Sequence, residues 1–470
     1  MILSKKHIFC LLILISWNSI SFSQNEGVTI MTFDSFMSQI KQYHPVARQA
    51  AIQAEKGDAY LLKSKGGFDP YIAGDINQKY FDGSQYYSTA NAALKIPTWF
   101  GLTVQGGYET NEGYRLNPQN STPDNGLWFA GISVPLGKGL FIDQRRADLK
   151  QARIYQQSSV VEQRRMMNEL LYEAGKTYFE WFKSYNKLLV YQEMLETAKI
   201  RLSGIKQSVK FGDRPSIDTL EVGIQLQNRQ FLLQQAELEY LNDRELVSVY
   251  LWADNFVPLE LSDNALPISK EEIVPIPFEI RYLSQLDSIK STHPDLLINQ
   301  FKIDFLKVDY RLNKENLKPR LDVKYNALSE PIGGDVLSQY SINNYNWGAQ
   351  LSFPLFLRKE RGMLKLSELQ IQEQENNQQF KAEFIEYKAK MTINNWRTSY
   401  DQAILYNQTV KDYRTLFTAE QQLLYNGESS LFMVNSREMS YIDAEVKRLE
   451  TLTENLKSRI TMEYVFGILK

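Results

Sequence analysis

The chain has 470 residues, with 53 basic against 55 acidic side chains, three histidines and a formal charge of −2. That balance gives no bulk attraction to nucleic acid, and nucleic-acid binding is not expected. No stretch after the N-terminal segment approaches ~18 consecutive apolar residues, so any membrane-spanning part must be built from strands.

Residues 1–23 read as a secretory signal: Lys5 and Lys6, an apolar core from Ile8 to Ile15, then Ser21 and Ser23 before Gln24. The single cysteine, Cys10, falls inside it, which leaves the mature chain with no disulfide, thiolate metal site or lipid-anchor cysteine. Residues 32–64 read as one helix, with Asp34 near its start and Gly66-Gly67 after its end. The period then changes from helical to alternating. Ile72, Gly74, Ile76 and Tyr80 fall on one side of a strand whose other side holds Asp75, Asn77 and Lys79. Three more alternating stretches, at 90–96, 102–109 and 128–134, precede a proline-free heptad helix from near Asp143 to about Val209. A turn at Phe211 to Ser216 leads into a return helix ending near Trp252. Residues 255–277 hold Pro258, Pro267, Pro275 and Pro277 and read as a linker.

Beyond the linker the pattern starts again. Leu321, Val323, Tyr325 and Ala327 alternate with Asp322, Lys324 and Asn326, and Tyr345, Trp347, Ala349, Leu351 and Phe353 with Asn346, Gln350 and Ser352. A second heptad helix runs from near Arg361 to Leu424, turns at Tyr425 to Ser430 and returns to about Phe466. At ~1.5 Å per residue each long helix reaches roughly 100 Å, which argues for elongated coiled-coil packing rather than a globular domain.

The second half repeats the first. Trp181, Leu188, Leu195, Leu202 and Val209 map onto Trp396, Ala403, Val410, Phe417 and Leu424 at an offset of 215, which also carries Tyr172, Ala174, Tyr185 and Gly212 onto Tyr387, Ala389, Tyr400 and Gly427. Upstream, Trp128, Ala130, Ser133, Pro135 and Leu136 match Trp347, Ala349, Ser352, Pro354 and Leu355 at an offset of 219, and His44-Pro45 matches His293-Pro294 at 249. The chain therefore divides into a first repeat at 24–254 with its β segment at 68–136, the linker, and a second repeat at 278–470 with its β segment at 319–355. The change of offset from 249 to 219 gives the first copy 30 additional residues. That is one extra hairpin, roughly residues 84–113, since a transmembrane strand takes ~9–11 residues.

Apolar residues alternating with Asp, Lys, Asn and Gln suit a lipid-facing outside and a watery lumen, and Tyr71, Tyr80, Trp99, Phe100, Trp128, Tyr345 and Trp347 would supply interface girdles. Four to six strands cannot close a barrel alone. Three copies give 12 strands, or 18 with the extra hairpin in the wall. The expected class is an internally duplicated α+β membrane protein: a long antiparallel helical coiled-coil barrel plus β-barrel strands contributed by each protomer of a trimer.

The two His-Pro pairs, Ser133-Val134-Pro135-Leu136 and Ser352-Phe353-Pro354-Leu355 closing the β segments, and the turns Phe211-Gly212-Asp213-Arg214-Pro215-Ser216 and Tyr425-Asn426-Gly427-Glu428-Ser429-Ser430 keep one order in both halves. In this combination the chain resembles the TolC-like outer-membrane efflux proteins over essentially all of its mature length. The resemblance implies a homotrimer in outer-membrane lipid, extending into the periplasm as a passive conduit. It also implies a tripartite efflux or export system with a periplasmic adaptor (membrane fusion protein) and, through it, an inner-membrane pump. It places the two turns at the periplasmic entrance, so Gly212, Asp213, Asp218, Tyr425, Gly427 and Glu428 are the gate and adaptor-docking candidates. By motif position Asp218 matches an aspartate bonded to a tyrosine before the second turn, here Tyr425; the competing reading is that Asp218 and Ser216 cap the return helix. Met433 and Ser436 stand where the family carries two aspartates and Ser429 where it carries an arginine, which leaves Glu428 as the carboxylate able to form a ring on the axis.

The His-Pro pairs themselves read as helix starts, not metal ligands, and Trp181 and Trp396 as a packing seam. No phosphate loop or nucleophile motif is present, so no enzyme activity, catalytic residue, metal or cofactor is expected. The rival class is a secreted or periplasmic helical scaffold or adhesion protein without a pore. Lumen-type charges opposite lipid-type aromatics on the strands argue against it.

Overall fold

A computed structural model describes residues 29–330 and 341–469, and the signal segment lies outside the described residues. Strand β1 (Thr29–Met31) leads into helices α1 (Phe33–Tyr43) and α2 (Pro45–Lys65). Strands β2 (Tyr71–Phe81), β3 (Ser84–Pro97), β4 (Thr103–Glu112) and β5 (Leu127–Gly137) come next, then α3 (Gln144–Lys210) and α4 (Ser216–Ser248). Short strands β6 (Trp252–Ala253), β7 (Val257–Pro258) and β8 (Ala265–Pro267) precede helices α5 (Arg281–Leu286), α6 (Ile289–Thr292) and α7 (Pro294–Glu315). Strands β9 (Arg320–Ser329) and β10 (Tyr345–Ser352) and helices α8 (Arg358–Tyr425) and α9 (Leu431–Val465) complete the chain.

The single helix expected over 32–64 is two helices. Pro45 has no N–H and disfavours helical backbone in the residue before it, so His44 is extended (φ −65°, ψ 134°) and its Nδ1 accepts the Val46 N–H at 3.2 Å. His293 repeats this ahead of Pro294, accepting the Asp295 N–H at 3.1 Å. Both histidines are thus N-caps in the neutral form, and burial pulls the pKa of each below its usual value. The first return helix stops at Ser248, short of the expected Trp252, because Trp252 and Ala253 pair with Val257 and Pro258. The linker is also more than a spacer: Ala265–Pro267 pairs in parallel with Thr29–Met31.

The seams of the coils follow the sevenfold spacing. Trp181 packs with Tyr178, Phe182, Phe36 and Ile40, while Trp396 packs with Tyr282, Ile289, Leu296 and Met462. Both tryptophans are fully buried. The Trp396 indole donates to the Ile276 carbonyl at 2.9 Å, and Asn455 bonds both backbone groups of the same Ile276, so the linker is fastened to the second seam.

Six strands form one antiparallel sheet in the order β10-β9-β5-β4-β3-β2. The two repeats meet where β5 pairs β9. The additional hairpin β3–β4 lies inside the sheet between β2 and β5, not in a loop beside it. The chain enters it from β2 through the tight pair Asp82-Gly83, both at positive φ, the geometry two-residue turns between strands favour. The turn between β3 and β4 passes beneath the Arg146 guanidinium at the start of α3, which a side chain on Gly101 would obstruct.

Candidate channel wall and entrance

Because successive strand residues point to opposite faces, the register sorts the sheet into two surfaces. Ile96, Val104, Ile132, Tyr325 and Trp347 lie in one continuous row across β3, β4, β5, β9 and β10, and Ile72 and Leu94 share that face. Their exposure is high for large apolar side chains, from 37% at Ile96 to 81% at Ile72. Trp99, Phe100, Phe141 and Phe356 stand exposed at the rim nearest the helices, and Tyr80, Phe81 and Tyr114 at the opposite rim.

The other face carries Asp75, Asn91 and Glu109 in one row and Thr103, Ser133 and Lys324 in another. Asn91, Thr103 and Gln105 therefore share a face opposite Leu94 and Val104, as the alternation expects. Gln105 departs from the expectation in one respect: it is buried, not open to water. Its Nε2 donates to Asn326 Oδ1 at 2.8 Å across Gly131, whose missing side chain leaves room for the pair.

At the opposite end of the helices the two turns have matching geometry. Gly212 (φ 83°) and Gly427 (φ 78°) take the left-handed conformation that ends a helix without a Cβ penalty. The Asp213 N–H then bonds the Ser208 carbonyl at 3.0 Å and the Glu428 N–H the Leu423 carbonyl at 2.9 Å, satisfying the last free carbonyls of α3 and α8 in the same way. Asp213, Tyr425 and Glu428 are solvent-exposed.

The capping reading of Asp218 and Ser216 does not hold. The N-cap of α4 is Pro215, with no side-chain cap bond, and Asp218 accepts from Arg214 Nη1 at 3.2 Å. Among the described residues no hydrogen bond joins Asp218 to Tyr425, which is 87% exposed within one protomer. The second return helix is capped by Ser430, which accepts from the Met433 N–H, while Ser429 bonds Glu420.

Sequence reasoning missed a buried charge cluster behind these turns. Glu438 on α9 accepts both guanidinium nitrogens of Arg201 on α3, at 2.7 and 3.0 Å, and one from Arg229 on α4 at 3.3 Å. Its side chain is 1% exposed and that of Arg229 4%, so the three helices are tied by ions shielded from water. Asn435 also accepts from Arg201 and passes the network on to Glu221. One signal was available: Glu438 sits between Val434 and Ile442, midway along the apolar stripe of its helix. Among the described residues no group of three or more His, Cys, Asp or Glu is placed to hold a metal, and no helix is long and apolar enough to cross a membrane.

Residues 286–460 match the family model described as outer membrane efflux protein. The whole arrangement superposes on the CmeC outer membrane channel of Campylobacter jejuni with a TM-score of 0.65 at 13% identity, covering 93% of this chain and 85% of that one. The fold is that of a TolC-like outer-membrane channel. The open state of the MtrE outer membrane channel of Neisseria gonorrhoeae gives a TM-score of 0.67 at 12% identity, over 93% and 88% of the two chains. The outer membrane protein VceC of Vibrio cholerae gives 0.65 at 10%, over 93% and 96%. Among curated protein sequences none matches the chain. The TolC-like fold accounts for the duplicated order: each repeat contributes a long coil to the helical part and a run of strands to the sheet.

Proposed function

We propose that the protein is a trimeric outer-membrane channel that conducts exported solutes passively across the outer membrane and periplasm. The observation that carries this reading is the open six-stranded sheet, apolar on one face and polar on the other, with β2 and β10 as its two end strands. An exposed sheet edge of this length recruits another strand, and in hydrocarbon every backbone group must be paired, which only a closed barrel achieves. Three copies joined β2 to β10 close it without an unpaired edge. The helical part supports the same assembly. Ile217, Ile224, Phe231 and Leu238 form an exposed sevenfold stripe on α4, and Phe384, Met391 and Leu405 remain exposed on α8; neighbouring protomers would cover them.

In this reading the turns holding Gly212, Asp213, Asp218, Tyr425, Gly427 and Glu428 form the periplasmic entrance, where a periplasmic adaptor docks and links the channel to an inner-membrane pump. Gating belongs there too, with Asp218 moving from Arg214 to Tyr425 as the closed contacts form between neighbouring coils. The test is membrane fractionation followed by extraction: the protein should sediment with outer membranes and need detergent for release. Recovery as a periplasmic species soluble without detergent would support the scaffold reading instead.

A further inference from the structure

The hairpin β3–β4 lies inside the sheet and so counts toward the circumference of any barrel the sheet closes into. We infer that this hairpin sets the width of the outer-membrane pore, giving an 18-stranded wall with a wider bore than the 12-stranded wall implied by the family resemblance. The inference rests on the channel reading above and adds the strand number of the wall and the bore of its outer mouth.

The hairpin is part of the wall by every feature of the sheet. All ten residues of β4 pair with β3, from Thr103 opposite Pro97 to Glu112 opposite Ser88, and β4 then pairs β5 from Thr103 to Glu109. Its apolar residues Leu94, Ile96 and Val104 continue the apolar face of β2 and β5, and its polar residues Asn91, Lys95, Thr103 and Gln105 continue the other. Gln105 is bonded across β5 to Asn326 of β9, which ties the hairpin to the strands of the second repeat. Its turn at Gly101 reaches the helix-side rim and its two open ends the far rim, so the hairpin crosses the full height of the sheet.

Geometry converts strand number into width. Strands ~4.8 Å apart and tilted by ~40° take up about 6.3 Å of circumference each, so 18 strands make a ring of about 110 Å and 12 a ring of about 75 Å. The helical part places four helices of each protomer side by side at the turns, α3, α4, α8 and α9. Twelve helices at ~8–10 Å spacing make a ring of about 100–120 Å. At this tilt the 18-stranded wall continues the helical tube at equal girth. Allowing ~6 Å for lining side chains, the free radius is about 12 Å for 18 strands and about 6 Å for 12. With the wider wall the outer mouth is no longer the narrowest point, and selection by size falls on the helical entrance.

The mature chain contains no cysteine, since Cys10 lies in the signal, so one introduced thiol reports alone. Lys324→Cys places it on the polar face of β9, opposite Ser133 of β5. Full-length trimer in liposomes is treated from outside with maleimide-polyethylene glycols of increasing hydrodynamic radius, a reading that does not depend on the state of the entrance. From the strand-number geometry, reaction should persist up to a radius of about 10 Å and stop above it, and removal of residues 84–113 should lower the cut-off to about 6 Å. A cut-off in the undeleted protein already at the lower, 12-stranded value would overturn the inference while leaving the channel intact, whether or not the shortened variant folds. Reaction with reagents of every size, with no cut-off, would overturn the channel reading itself.

Discussion

The two repeats agree in their helices and differ in their sheets. Helix α3 has 67 residues and α8 has 68, yet the first repeat supplies four strands and the second two. The difference follows from how each part is built. Helix α3 packs along α4 and α9, and α8 along α9, so both long helices must reach the turn end of the same shared seam or leave it uncovered, which holds their lengths together. An antiparallel sheet has no such constraint: one hairpin adds two strands and returns the chain to the side it left, so the helices on either side need not move. Width can therefore change in one repeat alone, while height is fixed by both.

The equality of the helices is broken most severely at the seam tryptophans. Trp181→Ala and Trp396→Ala should each cost about 3–5 kcal/mol, since both remove a fully buried ring. Denaturant unfolding in detergent measures this, and a small effect at only one site would show that the seams are not equivalent. Next comes the cluster that has no counterpart. At the repeat offset Glu438 corresponds to Gly223, Arg201 to Leu416 and Arg229 to Ala444, so the ionic tie exists at one place per chain. Glu438→Ala leaves the buried Arg229 guanidinium and the partly buried one of Arg201 without their carboxylate and should destabilise the turn end of the coils by about 3–5 kcal/mol. Hydrogen exchange should show early opening of α4 and α9 there, with the sheet unaffected.

What the sequence disclosed about these regions depended on whether the signal was periodic. The sevenfold recurrence from Trp181 and Trp396 located both long helices to within a few residues, and strict alternation from Leu321 to Ala327 located β9, because each pattern repeats a simple geometric requirement many times. Contacts made once were not legible. The pairing of Thr29–Met31 with Ala265–Pro267 is three residues long, with no period to detect. At His44-Pro45 and His293-Pro294 the helix starts were legible from proline, but helical periodicity on both sides of His44 still made 32–64 read as one helix. Gln105 looked like a water-facing residue because its cover, Asn326, comes from the other repeat. At the ends of the long helices the two glycines announced the turns, but not that Asp218 would pair with Arg214.

A smaller effect separates the two turns. If Asp218 and Tyr425 meet across neighbouring coils in the closed channel, their charged hydrogen bond contributes about 1–3 kcal/mol, and replacing both with Ala should raise resting conductance in planar bilayers while trimers persist. Unchanged conductance would leave Asp218 as a partner of Arg214 only. With Met433 and Ser436 in place of aspartates, block by divalent cations should be weak, and strong block would point to Glu428.

The smallest expected effect concerns the paired caps. His44 and His293 accept backbone N–H groups only when neutral, and burial lowers the pKa of both in the folded state. The unfolded chain then binds protons more readily, so this stability is present above the unfolded value of ~6.5 and is lost as pH falls through the lower folded values. About 1 kcal/mol per cap is at stake. The charged groups nearest His293 work in opposite directions, Asp295 raising its pKa and Lys388 and Arg164 lowering it. His44→Asn with His293→Asn keeps a capping oxygen that does not titrate, and unfolding measured between pH 7 and 5 should flatten. An unchanged slope would place the acid sensitivity elsewhere.

The claim on which the rest depends is that one chain contributes an open six-stranded segment to a closed barrel. Native mass measurement in mild detergent, combined with circular dichroism, tests it most directly: the account predicts a single trimeric species that retains its strand signal. A monodisperse monomer keeping the same strand content in water, without detergent, would contradict it.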